Sequence, residues 1–116
     1  MIVGLGNPGA EYAATRHNVG WMALDALVQR HAVALTSRLR RWLQVVALYG
    51  ECRIDSRRVR LVKPQTMMNR SGQALAALND RLDPRDVLVI CDDVNLPLGR
   101  LRLRGQGSAG GHHGLQ

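Results

Sequence analysis

The apolar positions of this chain fall into short runs separated by polar and glycine-rich turns. Residues 1–5, MIVGL, form a continuous apolar run that ends in Gly6-Asn7-Pro8-Gly9, the signature of a buried strand closed by a turn. Trp21, Leu24, Leu27, Val28 and His31 then recur at helical spacing and predict a helix over 18–31. Residues 38–41 read as a basic connection. Strands are expected at 42–50 and 57–63, with a polar turn at Asp55-Ser56, and Pro64 ends the second strand. Residues 67–82 read as a second helix with Leu75, Leu78 and Leu82 on one stripe, followed by a turn over 83–86. Residues 87–91 are wholly apolar, as in a strand covered on both faces. Arg100, Arg102 and Arg104 alternate with Leu101 and Leu103, so a strand there would carry three guanidiniums on one face. A second glycine-rich loop, GSAGGHHGLQ, closes the sequence. Neither an internal repeat nor a linker is visible. Strands alternating with helices predict an α/β layer fold, whose ligands sit beyond the carboxyl ends of the strands. Asn7, Asp92 and Asp93 fall at such ends.

Composition narrows the function classes. The 116 residues predict one domain. Sixteen basic residues against nine acidic ones give +7, and Lys63 is the only lysine. Arginine suits bidentate contact with phosphate, so the charge fits a polyanionic partner, nucleic acid first. A soluble basic protein with no such partner is the alternative. Cys52 and Cys91 lie far apart with no C-x-x-C pairing, which argues against a metal or disulfide framework and for reduced thiols in the cytoplasm. The opening run lacks a basic segment before it, so a secretory signal is not expected. Residues 42–49 are too few to span a bilayer.

Gly4, Gly6 and Gly9 spell G-x-G-x-x-G, the pattern of a dinucleotide-binding turn. The surroundings disagree with that reading. A dinucleotide site needs its helix to begin at the glycine turn, yet residues 10–17 intervene. Asp25, the nearest candidate for holding a ribose, lies inside the predicted helix. Pro8 removes a backbone donor from the loop.

Longer motifs are more specific. GLGNPGAEYAATRHNVGW, KPQTMMNRSG and CDDVNLPLGRLRLRGQGSAGGHHGL occur in this order. Together they resemble the bacterial peptidyl-tRNA hydrolase family, collinearly from Met1 to Gln116. The resemblance implies a mixed, largely parallel twisted sheet flanked by helices in a single α/β domain. It also implies a longer family chain, so a sheet incomplete at the C-terminus is expected for 1–116.

The implied reaction is hydrolysis of the ester between a peptide and the 3′ ribose of tRNA, which frees tRNA stranded by aborted translation. The sequence places no Ser or Cys nucleophile in a motif, so water must be activated, and imidazole is the natural base. His17 matches the family's catalytic histidine and Asp92 its partner acid, with Asp93 the less favoured neighbour. Asn69 matches an asparagine suited to the oxyanion or the water. Asn7 matches one that contacts the peptide side. Tyr12 and Met68 match cleft-lining positions, with ordinary packing as the alternative for each. Gly6 and Gly9 are read as letting the backbone approach substrate. Arg100, Arg102 and Arg104 match basic positions near the tRNA acceptor stem, the alternative being a charged edge strand kept from aggregating. The family's G-G-H-N-G reads Gly110-Gly111-His112-His113-Gly114 here, so His113 replaces an asparagine that positions water and substrate.

The resemblance implies no cofactor, a monomer, cytoplasmic location, peptidyl-tRNA as the partner and no membrane. Two other readings stay open: an RNA-binding module without turnover, and a metal hydrolase built from His17, His112, His113 and Asp92. Against the second, successive side chains diverge and no zinc-type spacing is present.

Overall fold

The computed structural model describes residues 1–78 and 83–116. Its five strands are β1 (Ile2–Gly4), β2 (Ser37–Arg41), β3 (Gln44–Ile54), β4 (Arg57–Pro64) and β5 (Leu88–Ile90). They form one sheet in the order β2-β3-β4-β1-β5. β1 runs parallel to both β4 and β5, whereas β2-β3 and β3-β4 are antiparallel. The sheet is therefore mixed as expected, with parallel pairing confined to half of its ladders. Helix α1 (Val19–Arg30) packs on β1, β4 and β5, and helix α2 (Ser71–Ala76) on β3 and β4.

Alternation along β1 explains how the helices flank the sheet. Val3 and Leu5, both fully buried, point to one face and join Val46, Ala47, Val62, Met68 and Ala74 of α2 in the core. Gly4 points to the other face, where α1 crosses so closely that a Cβ would strike the Gly20 carbonyl and the Leu24 side chain. Gly20 in turn lies against the backbone of Leu5 and Ile90. Two of the motif glycines thus serve packing: Gly4 admits α1, and a Cβ on Gly6 would lie 2.6 Å from the Trp21 ring. The expected approach of Gly6 to substrate is corrected accordingly. Gly9, at φ 117°, does make the turn. Two short 3-10 turns, Ala10–Tyr12 and Arg16–Asn18, precede α1, so the helix does not begin at the glycine loop as dinucleotide binding requires.

Four expectations change. Residues 38–41 belong to strand β2, in which only Leu39 turns toward the core, so the strand reads as charged. The 67–82 helix is a 3-10 turn (Met68–Arg70) followed by α2; Leu75 and Leu78 pack on the core, and Leu82 lies outside the described residues. Of residues 87–91 only Leu88–Ile90 form a strand, and β5 is at the sheet's edge among the described residues, with Leu88 exposed. Residues 100–104 form no strand, and Leu101 and Leu103 are exposed. A strand needs a hydrogen-bonding neighbour as well as alternation, and no described strand pairs with this segment.

Candidate active site

Three adjacent parallel strands, β4, β1 and β5, deliver polar residues at their carboxyl ends. The segment after β4 carries Met67, Met68 and Asn69; the one after β1 carries Asn7; the one after β5 carries Asp92. His17 comes from the 3-10 turn that leads into α1. Asn7, His17, Met67, Met68, Asn69 and His113 line a cleft of about 310 Å³.

A buried asparagine pair sets the geometry. The Asn7 N–H donates to Asn18 Oδ1 at 2.7 Å, and Asn18 Nδ2 donates back to the Asn7 carbonyl at 2.9 Å. Asn7 Oδ1 accepts the Met68 N–H at 2.6 Å. The loops after β1 and β4 and the start of α1 are therefore tied through two side chains. Asn18 is 1% exposed, and its amide caps nothing in its own helix. The sequence reading passed over Asn18. An asparagine at a helix start reads as a cap, and its long-range bonds leave no local signal. With Oδ1 engaged, the Asn7 amide has its Nδ2 as the donor left for the cleft it lines.

His17 Nδ1 lies 2.7 Å from Asp92 Oδ1. A carboxylate only accepts, so Nδ1 carries the hydrogen and Nε2 keeps its lone pair. The same Oδ1 accepts from His112 Nε2 at 3.0 Å. His112 Nδ1 accepts the Gly114 N–H at 3.0 Å, which fixes that ring's tautomer as well. The two rings lie 5.3 Å apart, tilted by 54°. Asp92 and His112 are largely shielded, whereas the His17 side chain is 40% exposed. The ring held from behind is thus partly open to solvent. His112 was weighed from the sequence only as a metal ligand. The structure shows it as the second donor to Asp92.

His112 and His113 do diverge, His112 toward Asp92 and His113 toward the cleft. The ligand atoms of His17, Asp92 and His112 lie within 4.8 Å of one another, close enough to share an ion. Hydrogen bonds account for the same cluster, since the Asp92 oxygen already accepts two N–H groups.

The other expected residues are dispersed. Tyr12 is half-buried outside the cleft lining, and its carbonyl accepts the Thr15 hydroxyl at 2.8 Å. Met68 is both core and cleft: 4% exposed, it packs under Gly114, where a Cβ would lie 2.6 Å from its sulfur. Arg100, Arg102 and Arg104 are exposed and do not line the cleft. Arg102 pairs with Asp93 Oδ2 at 2.5 Å. The Asn95 N–H first, and the Arg102 guanidinium second, hold the Asp93 carboxyl below its ordinary range. Burial, and then the carboxylates of Asp92 and Asp93, push the Cys91 thiol up. No helix among the described residues is long and apolar enough to cross a membrane.

The chain is similar to known proteins in both sequence and fold. A family model described as Peptidyl-tRNA hydrolase matches residues 1–116. A peptidyl-tRNA hydrolase of a Synechococcus species is 52% identical over the whole chain, and one of Thermosynechococcus vestitus is 56% identical. The chain spans 51% and 56% of those relatives' own lengths. The crystal structure of peptidyl-tRNA hydrolase from Acinetobacter baumannii superposes with a TM-score of 0.86 at 37% identity, over 98% of this chain and 57% of that one. On the whole-chain match to the family model, with the fold and the ordered motifs in agreement, the chain belongs to the peptidyl-tRNA hydrolase family.

Proposed function

We propose that this chain, acting as one partial domain over residues 1–116, hydrolyses the ester joining a peptide to the 3′ ribose of tRNA. The observation that carries this reading is the 2.7 Å contact between His17 Nδ1 and Asp92, which leaves Nε2 as a base beside the asparagine-lined cleft. His17 takes a proton from water as the oxygen attacks the ester carbonyl. Asp92 holds the ring's tautomer and stabilises the imidazolium that forms. The Asn69 amide donates to the oxyanion or holds the water, and Asn7 Nδ2 contacts the peptide side. Collapse of the tetrahedral intermediate expels the ribose 3′ oxygen, which recovers the proton from His17.

Met68 offers an apolar wall, and His113 contacts substrate where it borders the cleft. Tyr12, outside the cleft lining, is assigned to the substrate's approach. Arg100, Arg102 and Arg104 meet RNA phosphates, which position the substrate without reading its sequence. The partner is peptidyl-tRNA, the chain acts as a monomer in the cytoplasm, and no cofactor is required because imidazole and amides supply the chemistry.

The test is release of peptide from a peptidyl-tRNA mixed with this chain. Free peptide is the expected result. Salt-sensitive binding of the RNA with the peptide still attached would replace this reading with an RNA-binding module, which the +7 charge also supports.

A further inference from the structure

We propose that the tip of the β2–β3 hairpin is a docking surface for single-stranded RNA. Trp42 stacks on an unpaired base there, and Arg38, Arg40 and Arg41 hold the flanking phosphates. The inference deepens the reading above by saying where RNA runs outside the cleft, and in that respect rests on it.

Trp42 and Leu43 form a two-residue loop between the paired Arg41 and Gln44. They are 91% and 92% exposed. Trp42 also sits at φ 58°, in the left-handed region that such loops ordinarily give to asparagine or glycine. The indole therefore neither packs on the protein nor suits its backbone. Its local stability argues against it, and contact with something outside the chain accounts for it.

The neighbouring charge indicates what that contact is. Between Asp25 and Glu51 the sequence has no acid. Arg38, Arg40 and Arg41 are exposed, and none forms an ion pair among the described residues. Four arginines elsewhere are paired, Arg58 and Arg60 with Glu51, Arg85 with Asp83 and Arg102 with Asp93, and among the described residues others such as Arg100 and Arg104 are not; the hairpin is set apart by three such arginines next to an exposed indole. β2 is an edge strand, and arginine there discourages edge-to-edge pairing. That role explains the arginines but not an apolar tip beside them. An exposed aromatic face next to unpaired guanidiniums is the combination that binds single-stranded nucleic acid.

The second strand of the hairpin is bonded to the segment that leads into the cleft. The Val46 carbonyl accepts the Gln65 N–H at 2.8 Å, three positions before Met68. Leu43 precedes Val46 by three residues, roughly 10 Å at the rise of a strand. An RNA whose 3′ end lies in the cleft has this tip within a few nucleotides' reach.

The test is titration of the chain with an eight-nucleotide single-stranded RNA, read by tryptophan emission. The difference between parent and Trp42→Asn isolates Trp42, and asparagine suits the left-handed turn, so the hairpin is retained. Quenching of the parent emission is expected, with about tenfold weaker binding in Trp42→Asn. Arg40→Ser with Arg41→Ser should weaken binding and flatten its salt dependence by roughly 1.4 in log–log slope, for two phosphates released. Cleavage of an acylaminoacyl ester of adenosine, which is too short to reach the tip, should be equal in parent and Trp42→Asn. If the parent fails to cleave that ester, the proposed function falls while the RNA titration still decides the hairpin. RNA binding with unmoved Trp42 emission and equal affinity in Trp42→Asn would overturn the proposal. So would a response to phosphatidylserine vesicles but not to RNA, or an emission change driven by protein concentration alone.

Discussion

Asn18→Ala should unfold this protein more easily than any change to its exposed arginines. The substitution deletes both bonds to Asn7, at 2.7 and 2.9 Å, from a position that is 1% exposed. Asn7, itself buried, keeps an N–H and a carbonyl with no partner. Each buried backbone group left unsatisfied costs about 1–3 kcal/mol, so the pair predicts a loss of about 2–6 kcal/mol, the lower end holding if water enters. Against a typical stability of about 5–15 kcal/mol that is a large share. Urea unfolding followed by circular dichroism measures it: the midpoint should fall by about 1–3 M with little change in slope. Asn18→Asp keeps the acceptor but sets a carboxylate oxygen against the Asn7 carbonyl, and should lose at least as much at neutral pH. Because Asn7 Oδ1 also holds the Met68 N–H, hydrolysis should drop even where the variant is folded. A loss below about 0.5 kcal/mol, less than one ordinary hydrogen bond, would refute the clamp.

Three further outcomes are expected. Gly20→Ala drives a Cβ into the backbone of Ile90 and Leu5, which cannot yield as a side chain would; a loss of about 2–3 kcal/mol, or roughly 10 °C in Tm, should appear in a thermal melt, and an unchanged Tm would contradict the close α1–β1 approach. The raised thiol of Cys91 keeps its thiolate scarce at pH 8, so it should react with an aromatic disulfide more slowly than glutathione, and Asp93→Asn should speed it by removing one negative neighbour; a rate equal to that of glutathione would contradict this. His113→Asn restores the amide of the family pattern at the cleft and should raise turnover of peptidyl-tRNA, whereas an unchanged rate would show that this position does not limit the reaction.

What the sequence made legible depended on how local the cause was. β4 and the Asp55-Ser56 turn were readable because alternation and turn chemistry act between neighbours, and both turn residues take positive φ; the strand expected at 42–50 is instead Gln44–Ile54, with Trp42 and Leu43 in the turn before it. β2 was hidden because an edge strand with one inward leucine has the composition of a loop. The helix expected from Met67 opens as a 3-10 turn, and the acceptor of its Met68 N–H is Asn7, in a loop some sixty positions away that no local pattern reveals. The Arg100–Arg104 alternation matched a strand, but pairing is a property of the neighbour and cannot be read from the segment itself.

The candidate site follows the same division. His17 and Asp92 are 75 positions apart, and only the ordered family motifs joined them before the structure did. Asn18 and His112 act through contacts that no spacing rule marks. Gly4 was noticed for a cofactor pattern, yet its cause is the passage of a helix over a strand.

The most direct test of the account is single-turnover release of peptide from peptidyl-tRNA by the parent, His17→Ala and Asp92→Asn, with folding of each checked by circular dichroism. The parent should release peptide, and His17→Ala should not. Asp92→Asn should be slower by roughly two to four orders of magnitude, because the ring loses the acceptor that sets its tautomer. Equal release by the parent and His17→Ala would contradict the account.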